Sequence, residues 1–279
     1  MLSPQYIGVD AVLDRYEALL LDAYGVLVTG GGALPGAAAF IARLEHTGHP
    51  YFIVTNDASR LPGTVAARFS RLGLSIPEER IVTSGSLIGP HFHSRGLSGM
   101  RCAVMGPTDS AAYVRLAGGE VVPVSEDFEV LVVCDERGTD FIADVNAALS
   151  SACRRIDRGD DVHLVLPNPD LIYPHGDGRY AFTAGTIALM LEEALAVRYP
   201  DRHDLRFERL GKPHTAIYEE GIRRAGTRTI LMVGDQLATD IAGANAAGID
   251  SALIAGGITG ARLPENGPRP TWLLAAFGS

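Results

Sequence analysis

LLLDAYGVL, at residues 19–27, is the stretch whose reading decides the fold. Leu19, Leu20 and Leu21 follow one another with no polar residue between them. That is the pattern of a strand buried on both faces at the centre of a parallel sheet. The run stops at Asp22, and Gly25 supplies the permissive backbone that a chain needs on leaving a strand end. A carboxylate at the carboxyl end of a buried parallel strand stands where open α/β sheets hold their ligands. Taken alone, Asp22 suits a turn cap equally well.

Outward from that stretch, apolar runs and helical patterns alternate. YFIV at residues 51–54 and TILMV at 229–233 predict two more buried strands, with others over residues 80–83, 100–105, 130–134, 162–166 and 251–254. Helical composition appears over 37–45, 60–72, 109–117, 140–156, 184–197, 214–225 and 239–247, with Gly48 and Gly73 as terminators. The glycine-dense TGGGALPG at 29–36 reads as a flexible loop and lacks the lysine of a phosphate-binding P-loop. Residues 256–270, rich in Pro and Gly, read as a surface connection. Strands alternating with helices throughout predict an α/β fold with a doubly wound parallel sheet.

The totals narrow the function classes. Of 279 residues, 47% are hydrophobic and 20% charged, an ordinary globular composition. A formal net charge of −9 with no basic patch argues against nucleic-acid and anionic-membrane partners. Cys102, Cys134 and Cys153 have no metal-ligand spacing and read as reduced thiols of a cytoplasmic protein. The amino terminus lacks the basic start and apolar core of a secretory signal, and no apolar run has the length of a membrane span. His91 and His93 fall on a predicted helix without matching carboxylates, which argues against a metal role there.

Polar clusters end or adjoin the buried strands: Asp22, then Thr55 with Asn56, then Gly234-Asp235 with Asp240. A further one, Gly211-Lys212-Pro213, opens a helix. Each alone has a plainer explanation. Thr55 suits a helix cap, Lys212 a solvated lysine, and Asp235 and Asp240 a turn and a cap. Together they are a chemical set. Two carboxylates at one sheet edge hold a cation between them, and oxygen-only ligation suits magnesium. A lysine beside them offsets the charge of a bound anion, while a threonine hydroxyl and backbone N–H groups hold phosphate oxygens. The set fits metal-assisted phosphoryl transfer in which one aspartate attacks covalently.

In order, DAYGVL from Asp22, VTND from Val54, GKP from Gly211 and VGDQLATD from Val233 resemble the four motifs of the haloacid dehalogenase superfamily of hydrolases. NPD at Asn168 to Asp170 and TAGTIALMLEEAL from Thr183 are similar to the branch containing NagD-like, 4-nitrophenyl and pyridoxal phosphatases. The resemblance runs over about residues 19–254. It implies a Rossmann-like core over 1–86 and 183–279 and an inserted, smaller α/β cap over 87–182.

The resemblance also implies roles. Asp22 would be the nucleophile, forming an aspartyl-phosphate, and Thr55 and Lys212 would hold the phosphoryl group, with Asn56 beside them. Asp235 would complete a magnesium site with Asp22 and the Tyr24 carbonyl, and Asp240 would orient the metal's water ligands or Lys212. Asn168, Asp170, Tyr173, His175 and Asp177 would lie in the cap loop facing the substrate. A solvated loop explains His175 and Asp177 as well. The expected substrate is a small phosphate ester: sugar, polyol, nucleotide or pyridoxal phosphate all suit. A homodimer through the cap is a further implication.

One position departs from the pattern. Phosphatases of this superfamily usually carry an acid/base aspartate two residues after the nucleophile, and here Tyr24 stands there. A phenol donates a proton but is a poor base at neutral pH. The change opens two alternatives: a 2-haloacid dehalogenase-like hydrolase, since DAYG also resembles motif one of those enzymes, and a non-catalytic sensor of a phosphorylated metabolite. Asp235 and Asp240 speak against dehalogenation, which has no use for a metal-binding pair. The intact Asp22, Thr55 and Lys212 speak against the sensor.

Overall fold

Leu19, Leu20 and Leu21 have no exposed surface in the computed structural model of the chain, which describes residues 4–138, 140–175, 178–254 and 267–277. Asp177 and most of the connection expected over 256–270 lie outside the described residues. The leucines form the strand Ala18–Leu21, inside a seven-stranded sheet. Its order is Gln5–Ile7, Trp272–Leu274, Asp250–Ile254, Ile230–Gly234, Ala18–Leu21, Tyr51–Thr55, Ile81–Thr83. Every pairing from Gln5–Ile7 across to Tyr51–Thr55 is parallel.

Both faces are covered, as continuous apolar strands require. Leu19 and Leu21 face a cluster with Phe40, Ile41 and Leu44 of the helix Ala37–Thr47 and with Val65 and Phe69 of Pro62–Arg71. Leu20 points the other way, so close to Gly221 of the helix Thr215–Ala225 that a Cβ there would meet its Cδ2 at 2.9 Å. Register then aligns the strand ends. Leu21 pairs with Val233 on one side and Ile53 on the other, which brings Asp22, Gly234 and Thr55 to the same sheet edge.

The chain divides into two compact units. The first comprises Met1–Thr55, Pro62–Val82 and Lys212–Ser279, and the second Asn56–Leu61 and Thr83–Gly211. The second has its own five-stranded parallel sheet, ordered Glu208–Arg209, His163–Leu166, Val130–Val133, Arg101–Met105, Glu120–Val122. An antiparallel hairpin, Ile172–Pro174 with Tyr180–Phe182, also belongs to it.

The second unit therefore runs past residue 182, where the sequence reading returned the chain to the core. Ala184, Ile187, Ala188, Leu191 and Leu195 of the helix Ala184–Arg198 share one apolar cluster with Leu131, Val133 and Leu164 of the second sheet. Buried Glu192 ties the following segment to that helix, accepting from the Phe207 N–H at 2.7 Å and from Arg209 Nη2 at 2.8 Å. The glycine-dense loop also differs from expectation: Val28–Thr29 and Gly32–Ala33 pair as a small antiparallel hairpin.

Candidate active site

Three carboxylates meet at the edge of the first sheet. Asp22 leaves the central strand directly, its N–H donating to the Val233 carbonyl at 2.9 Å. Asp235 follows the adjacent strand, Ile230–Gly234. A π-helical turn over Leu237–Ile241 brings Asp240 back, and its Oδ2 accepts from the N–H groups of Asp235 at 3.2 Å and Gln236 at 3.1 Å. Carboxylate oxygens of the three lie within 4.8 Å of one another, and all three residues are buried. It is the sole such cluster of potential metal ligands among the described residues.

Lys212 Nζ donates to Asp22 Oδ1 at 2.5 Å and to Asp240 Oδ1 at 2.7 Å, with its side chain only 4% exposed. Burial disfavours its charge, but the Asp22 and Asp240 carboxylates outweigh that and hold the lysine pKa well above its ordinary value. The ammonium is therefore retained. Burial, with the Asp240 and Asp235 carboxylates close by, pushes the Asp22 carboxyl well above the usual carboxylate range against the pull of Lys212; a hard divalent cation such as magnesium among these oxygen-only donors would offset that crowding of negative charge.

Gly25 makes room for this cluster. Its φ is +83°, and a Cβ built on it would meet Asp235 Oδ2 at 2.1 Å. The glycine that the sequence suggested for a strand exit is thus required twice, by backbone conformation and by close approach.

Thr55 is buried at the end of Tyr51–Thr55 in the same unit. Tyr24 is 41% exposed, and its hydroxyl accepts a hydrogen bond from Arg68 Nη1. The Arg68 guanidinium also lies over the Tyr24 ring, 5.1 Å from its centroid. Sequence reasoning missed Arg68, which looks like any polar-face residue of its helix. It also missed Tyr218, wholly buried, whose hydroxyl donates to the carbonyls of Thr239 at 2.9 Å and Asp240 at 3.1 Å.

Asn56, Asn168 and Asp170 belong to the second unit and are linked to one another there. Asn56 Nδ2 donates to Asp170 Oδ1 at 2.9 Å, and the Asp170 N–H donates to Asn168 Oδ1 at 3.1 Å. Tyr173 and His175, on the hairpin side of that loop, make an edge-on ring contact with centroids 5.8 Å apart.

Known proteins resemble the chain over most of its length. Residues 19–120 match the family described as haloacid dehalogenase-like hydrolase, and residues 209–278 match its HAD-hydrolase-like counterpart. Chronophin of Bos taurus is 30% identical over 271 residues, covering 89% of this chain and 84% of that protein. A possible sugar phosphatase of the HAD superfamily from Cytophaga hutchinsonii superposes with a TM-score of 0.79 at 31% identity, covering 98% of each chain. The glycerol phosphate phosphatase of Mycobacterium tuberculosis, solved in complex with magnesium, gives a TM-score of 0.79 at 26% identity, covering 95% of this chain and 77% of that one. With the carboxylate cluster at the sheet edge and a relative of this similarity along most of its length, the chain belongs to the haloacid dehalogenase-like hydrolases, in the branch of NagD- and chronophin-type phosphatases.

Proposed function

We propose that the protein is a magnesium-dependent hydrolase of small phosphate monoesters, working through an aspartyl-phosphate on Asp22. The observation that carries this reading is the buried cluster of Asp22, Asp235 and Asp240 with Lys212 bonded to two of them. Asp22 and Asp235, with the Tyr24 carbonyl, would hold magnesium, whose charge offsets that of the phosphoryl oxygens. Asp240 keeps Lys212 aimed at Asp22.

In the first step an Asp22 carboxylate oxygen attacks phosphorus, the bond from phosphorus to the ester oxygen breaks, and the leaving oxygen takes a proton. Lys212 and Thr55 hold the phosphoryl oxygens as charge shifts onto them. In the second step water attacks the aspartyl-phosphate, releasing inorganic phosphate and restoring the Asp22 carboxylate. Tyr24, two residues after Asp22, would be the proton donor of the first step. Arg68 donates to its hydroxyl oxygen and so fixes the direction of the phenol.

The substrate class, a small phosphorylated metabolite, is supported by the glycerol phosphate phosphatase among the structural relatives. A homodimer formed through the second unit is supported by the exposed Leu171, Ile172, Tyr180 and Phe182. No helix among the described residues is long and apolar enough to cross a membrane. A cytoplasmic location is supported by three free cysteines, of which burial pushes the Cys102 and Cys134 thiols up to about 12.

The test is hydrolysis of p-nitrophenyl phosphate with magnesium, with EDTA, and in Asp22→Asn. Magnesium-dependent turnover that disappears in the variant is expected. Turnover by Asp22→Asn at the wild-type rate overturns the covalent mechanism.

A further inference from the structure

Two of the points where the chain passes between its compact units fall beside residues of the proposed reaction. Thr55 closes one segment of the first unit and Asn56 opens a segment of the second; Gly211 ends the second unit and Lys212 resumes the first. Within the second unit, Asn56 and Gly211 stand side by side. A Cβ on Gly211 would meet Asn56 Oδ1 at 2.5 Å and the Pro167 carbonyl at 2.6 Å. The chain tolerates that approach only because residue 211 is glycine.

Residues 167–170 hold both. The Gly211 N–H donates to the Pro167 carbonyl at 3.0 Å, and Asn56 Nδ2 donates to Asp170 Oδ1 at 2.9 Å. The loop is itself fixed. Asn168 accepts from the Asp170 N–H at 3.1 Å and reaches Thr183 Oγ1 at 3.4 Å, while the Gly185 N–H donates to the Asp170 carbonyl at 2.9 Å. A Cβ on Gly185 would meet the Pro169 carbonyl at 2.3 Å, so the helix start is pressed directly onto the loop. From the other side, Ser84 Oγ donates to the Asn56 carbonyl at 2.8 Å.

We infer that Asn168-Pro169-Asp170, with Asn56, is a clasp that positions Thr55 and Lys212 through the peptide bonds joining them to Asn56 and Gly211. These are positioning residues, in place of the substrate and phosphate contacts that the resemblance implied. The Asn56 amide and the Asp170 carboxylate are matched as donor and acceptor, and the backbone of each is held by neighbours, Asn56 by Ser84 and Asp170 by Asn168 and Gly185. The inference deepens the phosphatase reading and rests on it for the consequence in turnover, but not for the clasp.

The experiment compares Asp170→Ala, Asp170→Asn, Asn56→Asp and the double swap Asn56→Asp/Asp170→Asn. Two readouts are taken: amide hydrogen exchange of peptides covering residues 51–57 and 208–214, and p-nitrophenyl phosphate kinetics with magnesium. Asp170→Ala loses the acceptor, and Asn56→Asp sets two carboxylates against each other. Both are expected to raise exchange in the two peptides by about tenfold or more and to lower kcat more than they raise KM. Asp170→Asn keeps an acceptor oxygen and is expected to hold exchange within about twofold of wild type. The double swap reverses donor and acceptor and is expected to recover protection and kcat relative to Asn56→Asp.

Wild-type exchange in Asp170→Ala overturns the clasp. So does an Asp170→Asn variant as impaired as Asp170→Ala, which would assign the carboxylate's charge to substrate. A wild-type protein that hydrolyses no phosphate ester overturns the phosphatase reading alone, because the exchange readout still decides the clasp.

Discussion

Tyr24 occupies the position where most phosphatases of this superfamily carry their acid/base aspartate, and its hydroxyl oxygen is already engaged by Arg68. A donor of this kind serves the first step better than the second, because the phenol loses a proton to the leaving oxygen more readily than it takes one from water. Restoring the carboxylate tests that difference. Tyr24→Asp is expected to raise kcat by about tenfold or more on an alkyl phosphate, and by less on p-nitrophenyl phosphate, whose leaving group needs no proton. Equal or lower turnover on both substrates counts against Tyr24 as the limiting donor. That Asp22, Lys212, Asp235 and Asp240 meet was legible in the sequence, because each follows a buried strand or sits in a short polar motif. Arg68 was not. Its reach to Tyr24 depends on how the helix Pro62–Arg71 lies on the sheet, which no local pattern encodes.

Among the elements, the turn after Ile230–Gly234 carries the most chemistry. The sequence predicts a helix from residue 239, and the structure begins it earlier with a π turn over Leu237–Ile241, followed by Ala242–Ala247. Such a turn departs from the ordinary helical hydrogen-bond ladder, and π-turns often mark functional sites. Tyr218 donates to two carbonyls there, at Thr239 and Asp240, and its ring lies where a Cβ on Gly243 would meet it at 2.3 Å. Removing the hydroxyl leaves that backbone less fixed, and with it the carboxylate that aims Lys212. Tyr218→Phe is therefore expected to lose about 1–3 kcal/mol of stability in urea denaturation. It is also expected to lower kcat several-fold with little change in KM. Wild-type kcat in a destabilised Tyr218→Phe would confine the hydroxyl to a structural role. The same scale explains which elements the sequence hid. The long buried strands announce themselves by apolar runs, whereas Gln5–Ile7 and Trp272–Leu274 are three residues each and exist through their parallel pairing at the sheet edge. Val28–Thr29 and Gly32–Ala33 are shorter still, and their glycines read as a loop.

For the whole molecule, the long separation of Thr55 and Lys212 leads the sequence reading to an inserted cap over 87–182, whereas the second compact unit takes in Asn56–Leu61 and Thr83–Gly211. The amphipathic signal of Ala184–Arg198 is weak because apolar residues run nearly all round it, so periodicity does not say which sheet it covers. Its buried side chains answer that by packing on the second sheet. What remains exposed on that unit bears on assembly. Leu171 is 48% exposed, Ile172 51%, Tyr180 61% and Phe182 62%, and three of these side chains belong to the hairpin Ile172–Pro174 with Tyr180–Phe182. Large apolar side chains grouped on one short hairpin are an unusual surface for a monomer and an ordinary one for a symmetric dimer. A specific interface commonly buries about 800 Å² per partner, more than one short hairpin offers, so the hairpin would be its apolar centre rather than its whole extent. Light scattering at micromolar concentration is expected to give twice the mass of one chain. Ile172→Asp with Phe182→Asp, which sets charges at the centre of that surface, is expected to return the mass of one chain while leaving the melting transition of the first unit in place. A wild-type protein that elutes as a single chain, or a double variant that stays dimeric, removes the hairpin from any account of assembly.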